Sequence, residues 1–187
     1  MRTAVDLRQP AETELAPAEV PEGSFVLLQS PIGTASAIRR GVDIRTYYTD
    51  VLDTYGESLA RAVSLLSRPA NQPAVFFCSS GKDRTGMLAA VILSALGVSD
   101  EDSAADFART IELWDPAQTE KAIAASKASG LDPEVVKLTI EAPPELIVEL
   151  LERLREQHGS AGGYLLANGL RRDELDRLRS SLLERQG

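Results

Sequence analysis

Hydrophobic positions along this chain change rhythm several times, and each change marks an element. Thr3 to Leu7 and Phe25 to Leu28 are short apolar runs of strand length, and Ala74-Val75-Phe76-Phe77, bounded by Pro73, is a third. From Thr46, Tyr48, Val51, Leu52, Tyr55, Leu59, Val63 and Leu66 recur at helical spacing and predict one long amphipathic helix. From Met87, Leu88, Val91, Ile92 and Leu96 repeat the same way until Gly97 ends the run. Every later element reads as helical. Asp100 to Glu112 is one, and Asp132-Pro133 opens another in the favoured order of cap then proline. Leu146, Ile147, Leu150, Leu151 and Leu154 mark a third, and Leu175, Leu178 and Leu182 a fourth with Asp173 as its cap.

Between the first two strands, residues 9–24 hold four glutamates and three prolines, which predicts a surface loop or short helix. Gly33 to Gly41, with Arg39 and Arg40, reads as a flexible connection, and the Ala- and Ser-rich stretch 117–130 has weak periodicity. The expected fold class is α/β: a short central, mostly parallel sheet flanked by helices, with a helical C-terminal part from about residue 99 to 187. No repeat or linker divides the chain, so residues 1–187 are expected to form a single domain with a proper core.

The chemistry concentrates between the third strand and the helix after it, in Cys78-Ser79-Ser80-Gly81-Lys82-Asp83-Arg84-Thr85-Gly86. A loop opening onto a helix N-terminus presents unpaired N–H groups and the positive end of the helix dipole, both favourable to an anion. A cysteine there, beside cations, is favoured as the thiolate nucleophile. Arg84 offers a rigid fork for two phosphoryl oxygens, and the N–H groups of Ser79, Ser80, Gly81, Lys82, Asp83 and Arg84 can form a nest around the others. Thr85 can donate a hydrogen bond to the sulfur as it leaves, and Lys82 adds a charge toward the mouth. A lone buried cysteine is ordinarily a small core hydrophobe. Here the glycine, the Lys-Asp-Arg-Thr-Gly string, the preceding strand and the following helix all agree on an anion site.

At these residues the chain resembles the cysteine-dependent phosphatases, and more narrowly the bacterial tyrosine-phosphatase-like family that includes a secreted mycobacterial phosphatase B. That family carries His-Cys-x-x-Gly-Lys-Asp-Arg-Thr-Gly, and residues 78–86 match without a gap. Val5-Asp6-Leu7-Arg8, Gly97-Val98 with Asp106-Phe107, His158-Gly159-Ser160, Tyr164-Leu165 and Leu175 to Leu183 are similar as well, so about nine tenths of the chain is covered. The resemblance implies a tyrosine-phosphatase-like fold and a metal-independent phosphomonoester hydrolase with a phosphocysteine intermediate and no cofactor. It also implies Cys78 as nucleophile, Arg84 as phosphate holder, and helices near residues 117–130 covering the site. Two departures stand out. Phe77 replaces the loop-ordering histidine, and the chain begins almost on its Asp-Leu-Arg strand, where relatives carry a further segment; either that segment is absent or the chain is truncated.

Such a reaction needs an acid for the leaving oxygen and a base for water. Asp83, inside the loop, is the leading candidate, because relatives with Asp at this place use it. Asp50 and Asp53 are alternatives that helix-face solvation explains equally. Trp114-Asp115-Pro116 has the wrong order and lies on the wrong side of the motif for an acid loop. Arg39, Arg40 and Arg45 could bind a second anionic group or pair with carboxylates. Asp6 and Arg8 could pin the loop from the first strand, and Tyr47, Tyr48 and Tyr55 read mostly as core aromatics.

Composition narrows the partners. The net charge of −8 argues against nucleic acid and against adsorption to anionic membranes. One cysteine and one histidine, His158 before Gly159, leave no disulfide, no Cys/His metal cluster and no histidine beside the motif. Sixteen arginines against four lysines suggest a GC-rich bacterial source, and the start of the chain is not a signal peptide. The expected setting is cytoplasmic, with leaderless secretion open. The expected partner is a phosphorylated substrate: a phosphotyrosine protein, a phosphoinositide, or a soluble sugar, nucleoside or inositol phosphate. A phosphate-binding pseudophosphatase is the non-enzyme alternative; a sulfurtransferase loop fits the string poorly.

Overall fold

The sheet ends level at one edge, and that edge carries the site. In the computed structural model, which describes residues 1–21, 23–33, 42–113, 117, 120, 124 and 141–183, strands β1 (Thr3–Asp6), β2 (Val26–Gln29) and β3 (Ala74–Phe77) lie in the order β2-β1-β3. Both pairings are parallel, with Asp6 opposite Gln29 on one side and Phe77 on the other. The central strand is buried along its whole length, as expected for a parallel strand covered on both faces. Parallel strands bring their carboxyl ends together, so the chain leaving Asp6, Gln29 and Phe77 gathers in one place. Cross-bonds hold it there: Ser30 N–H donates to the Asp6 carbonyl, Ile32 N–H to Leu7, and Leu7 N–H to Phe77 at 2.9 Å.

The 9–24 segment contains a short helix, α1 (Pro10–Leu15), with proline in its first turn and no buried residue. Its position therefore depends on polar contacts. The single helix predicted from Thr46 to Leu66 is instead two, α2 (Ile44–Thr54) and α3 (Gly56–Leu66), broken at Tyr55. Gly56 stands just after the break, and a Cβ there would overlap the Asn168 side chain, so a distant residue occupies that space. Apolar spacing carries across this break almost in phase, which hides it in the sequence.

After β3, helix α4 (Asp83–Ala95) runs through the middle of the molecule and touches β3, α5 (Asp100–Ala108), α6 (Glu145–His158) and α7 (Ala161–Ala167). Met87, Leu88 and Val91 of α4 are fully buried with Leu59, Ile147 and Leu165 from the helices around it. Burial of each such side chain is worth about 1.5–3 kcal/mol. The helix predicted from Asp100 to Glu112 tightens at Arg109 into a 3₁₀ turn, Arg109–Leu113, as helix ends often do. The last helix, α8 (Arg172–Leu182), is capped by Arg171; Asp173 lies inside its first turn and pairs with Arg171 and Arg177. Gly159 takes the left-handed conformation after His158, whose ring packs edge-on against Tyr164. Among the described residues no helix is long and apolar enough to cross a membrane. Arg39, Arg40, the Trp114-Asp115-Pro116 string, the Asp132-Pro133 helix and most of 117–130 lie outside the described residues.

Candidate active site

Cys78 to Lys82 form the turn between β3 and α4, and two glycines permit its shape. Gly81 has φ +69, in the left-handed region that side chains resist. Gly86 lets α4 pass directly under Phe107, whose ring a Cβ would overlap. Within the turn, Cys78 is 7% exposed and Arg84, one residue into α4, is 3% exposed. Among the described residues, the backbone N–H groups of Ser79 to Arg84 find no acceptor; the first helical bond of this segment is Gly86 N–H to the Lys82 carbonyl. Orphan donors of this kind are what an anion nest consists of.

Arg84 is held by a residue of α1, the short helix that follows the central strand. Its Nη1 and Nη2 donate to the two carboxylate oxygens of Glu12, each at 2.7 Å, and the Ser79 hydroxyl donates to Glu12 Oε1 at 2.6 Å. Partial burial opposes ionisation of Glu12, yet the bonds from Arg84, Ser79 and the Gln9 backbone outweigh it and bring its carboxyl down to about 2. The Arg84 guanidinium is raised: burial works against its charge, while the Glu12 hydrogen bond and the nearby Cys78 favour it. An end-on pair uses one hydrogen from each terminal nitrogen. Nη2 also donates to the Ser79 hydroxyl at 3.2 Å, so among the described residues Nε–H is left for a second oxyanion.

Asp83 begins α4, and two groups converge on one of its oxygens. Tyr48 Oη donates to Oδ1 at 3.0 Å, and Lys82 Nζ lies 3.1 Å from the same atom. Lys82 is 1% exposed, so its ammonium is buried against Asp83 and does not stand at the mouth. Thr85 Oγ1 is buried without a hydrogen-bond partner among the described residues, and so makes no bond to the Cys78 sulfur here. Burial, then the charge and hydrogen bond of Asp83, raise the Tyr48 hydroxyl well above its ordinary value. Burial raises Tyr47 too, and the positive charge of Arg84 pulls against it.

A model of the tyrosine phosphatase family matches residues 1–184. The chain belongs to that family. Two relatives agree. The triple specificity protein phosphatase PtpB of Mycobacterium tuberculosis is 31% identical over 136 residues, covering 67% of this chain and 49% of the relative. A provisionally named tyrosine-protein phosphatase of Cupriavidus necator is 26% identical over 120 residues, covering 62% of this chain and 44% of the relative. The chain thus spans about half the length of these curated relatives.

Around this tyrosine-phosphatase loop, the place of the missing histidine is filled by Phe77, whose ring lies 5.4 Å from the guanidinium carbon of Arg8. Arg8 in turn chelates the fully buried Asp6 through Nε and Nη2 and donates from Nη1 to the Ala16 carbonyl at the end of α1. The pair expected to pin the loop thus pins α1, the helix that carries Glu12. Asp53 meets Arg153 and Arg45 meets Glu149 in solvent-exposed pairs. Reasoning from sequence missed Glu12 altogether. A usable signal existed: it follows the carboxyl end of a strand, the one place in a parallel sheet from which a short helix reaches the site.

Proposed function

We propose that residues 1–187 form one phosphatase domain that hydrolyses phosphate monoesters through a phosphocysteine, without a metal. The observation that carries this reading is the state of Arg84: buried at the anion nest beside Cys78, its end held by Glu12, Nη2 also on the Ser79 hydroxyl, and its Nε–H left for a phosphoryl group. The Cys78 thiolate attacks phosphorus; the S–P bond forms, the ester P–O bond breaks, and its electron pair leaves on oxygen, which takes a proton from Asp83. Water then attacks phosphorus and gives a proton to Asp83, while the S–P bond breaks and returns the thiolate. Arg84 and the N–H groups of Ser79, Ser80, Gly81, Lys82, Asp83 and Arg84 hold the equatorial oxygens, and Thr85, whose hydroxyl has no hydrogen-bond partner among the described residues, assists the departing sulfur. The substrate is a phosphotyrosine protein or a small phosphate ester.

Hydrolysis of p-nitrophenyl phosphate in EDTA, native protein against Cys78→Ser, tests the reading. Activity lost in the variant is expected. Activity surviving Cys78→Ser overturns the mechanism, and inertness of the native protein on aryl and alkyl esters alike favours a phosphate-binding pseudophosphatase.

A further inference from the structure

Tyr48 reads from the sequence as a core aromatic, and it is one: 3% exposed, edge-on to Tyr47 at 6.2 Å and to Phe107 at 6.5 Å between ring centres. Its hydroxyl nevertheless reaches a loop residue 35 positions away, donating to Asp83 Oδ1. Lys82 Nζ approaches that same oxygen. Tyr48 donates to Oδ1, and the Lys82 ammonium, which makes no hydrogen bond among the described residues, sets its positive charge beside the same oxygen and disfavours a proton there. A proton on Asp83 is thereby confined to the other oxygen, Oδ2.

We propose that Tyr48 is a positioning residue for proton transfer: with Lys82 it fixes Asp83 Oδ1, so that Oδ2 delivers the proton to the leaving oxygen and later takes one from water. This rests on Asp83 as the general acid. The packing suits the task. Phe107 lies against both the Tyr48 ring and Gly86, so the ring that carries the hydroxyl and the first turn of α4 that carries Asp83 are held by one neighbour. In the step itself the Oδ2–H bond breaks and an O–H bond to the leaving group forms as P–O breaks and S–P forms. Tyr48 exchanges no proton with the substrate.

A general acid matters most when the leaving oxygen is basic, and this separates positioning from mere stability. The test measures kcat and KM for phenyl phosphate and for 2,4-dinitrophenyl phosphate with native protein, Tyr48→Phe, Asp83→Asn and the double variant. Phenylalanine keeps the ring packing, so the fold is retained. Tyr48→Phe is expected to lower kcat on phenyl phosphate about tenfold and on the dinitrophenyl ester less than about twofold, with KM little changed, as for loss of one hydrogen bond to a charged group. In the Asp83→Asn background the same change should cost less than about twofold, because the two act as a unit. Equal losses on both esters in Tyr48→Phe, with Asp83→Asn still discriminating, would overturn the role of Tyr48 alone. Equal losses in Asp83→Asn would overturn the acid assignment and this proposal with it, leaving the Cys78 mechanism to its own test.

Discussion

Glu12 and Arg84 meet end to end, carboxylate against guanidinium, with both oxygen–nitrogen distances at 2.7 Å across 72 residues of sequence. Arg84 is thereby aimed before any substrate arrives, which is preorganisation in its simplest form. Replacing Glu12 by Gln leaves one acceptor for two donors and frees the guanidinium to turn. We expect kcat to fall by roughly 10–100-fold, with a smaller change in KM, since misplacement of a transition-state donor acts mainly on kcat. Steady-state kinetics on an aryl phosphate checks it.

The same pair makes the site acid-sensitive. Glu12 titrates at about 2 in the folded protein against a reference value of 4.5. A carboxyl depressed on folding contributes stability above its unfolded value and loses it as pH falls through the folded one. The contribution should be intact above about pH 4.5 and fade toward pH 2, reduced by the solvent that reaches this partly exposed pair. Thermal melts from pH 6 to pH 2, native against Glu12→Gln, should therefore converge at the acid end. Parallel curves would contradict the pairing.

Arg84→Lys keeps the charge and removes the fork. A lysine's single nitrogen cannot present one fixed donor edge to Glu12 and another to a phosphoryl group, so activity should drop by roughly 10²–10³. Phosphate or vanadate inhibition should weaken in parallel, and titration of either inhibitor provides the check.

Gly86→Ala pushes a methyl group into the Phe107 ring, which is buried and cannot move away freely. Overpacking of this kind costs about 1–3 kcal/mol. The shift should appear as a lower denaturant midpoint with an unchanged slope.

Arg8→Met leaves the fully buried Asp6 carboxyl without its ion-pair partner. Removing one partner of a buried pair costs about 3–5 kcal/mol, whereas replacing both costs far less. Arg8→Met combined with Asp6→Leu should therefore be more stable than Arg8→Met alone. Activity should stay low in both, because α1 loses its tie through Ala16 and Glu12 loses its footing. Urea melts and kinetics on the same samples distinguish the two effects.

Much of this molecule could be read from neighbouring residues. The strand at Ala74–Phe77 was placed to the residue, the α/β layering followed from the order of apolar runs, and the Cys78–Gly86 string named the family. The helix break at Tyr55–Gly56 was hidden because apolar spacing continues through it. Lys82 was expected at the mouth because a lysine in a loop is usually solvated; it is buried because Asp83, next in sequence, neutralises it within the fold.

By itself, the sequence determined what depends on residues close along the chain: hydrophobic rhythm, the glycine turn, and a thiol and an arginine six positions apart at a helix N-terminus. The fold decided which distant groups complete them. Glu12 reaches Arg84 because parallel strands end at one edge, and Tyr48 reaches Asp83 because α2, through the Tyr48 ring, and α4, at Gly86, both meet Phe107. Such contacts follow from chain paths closing over tens of residues. No local period records them, since each partner alone looks like an ordinary surface glutamate or an ordinary core tyrosine.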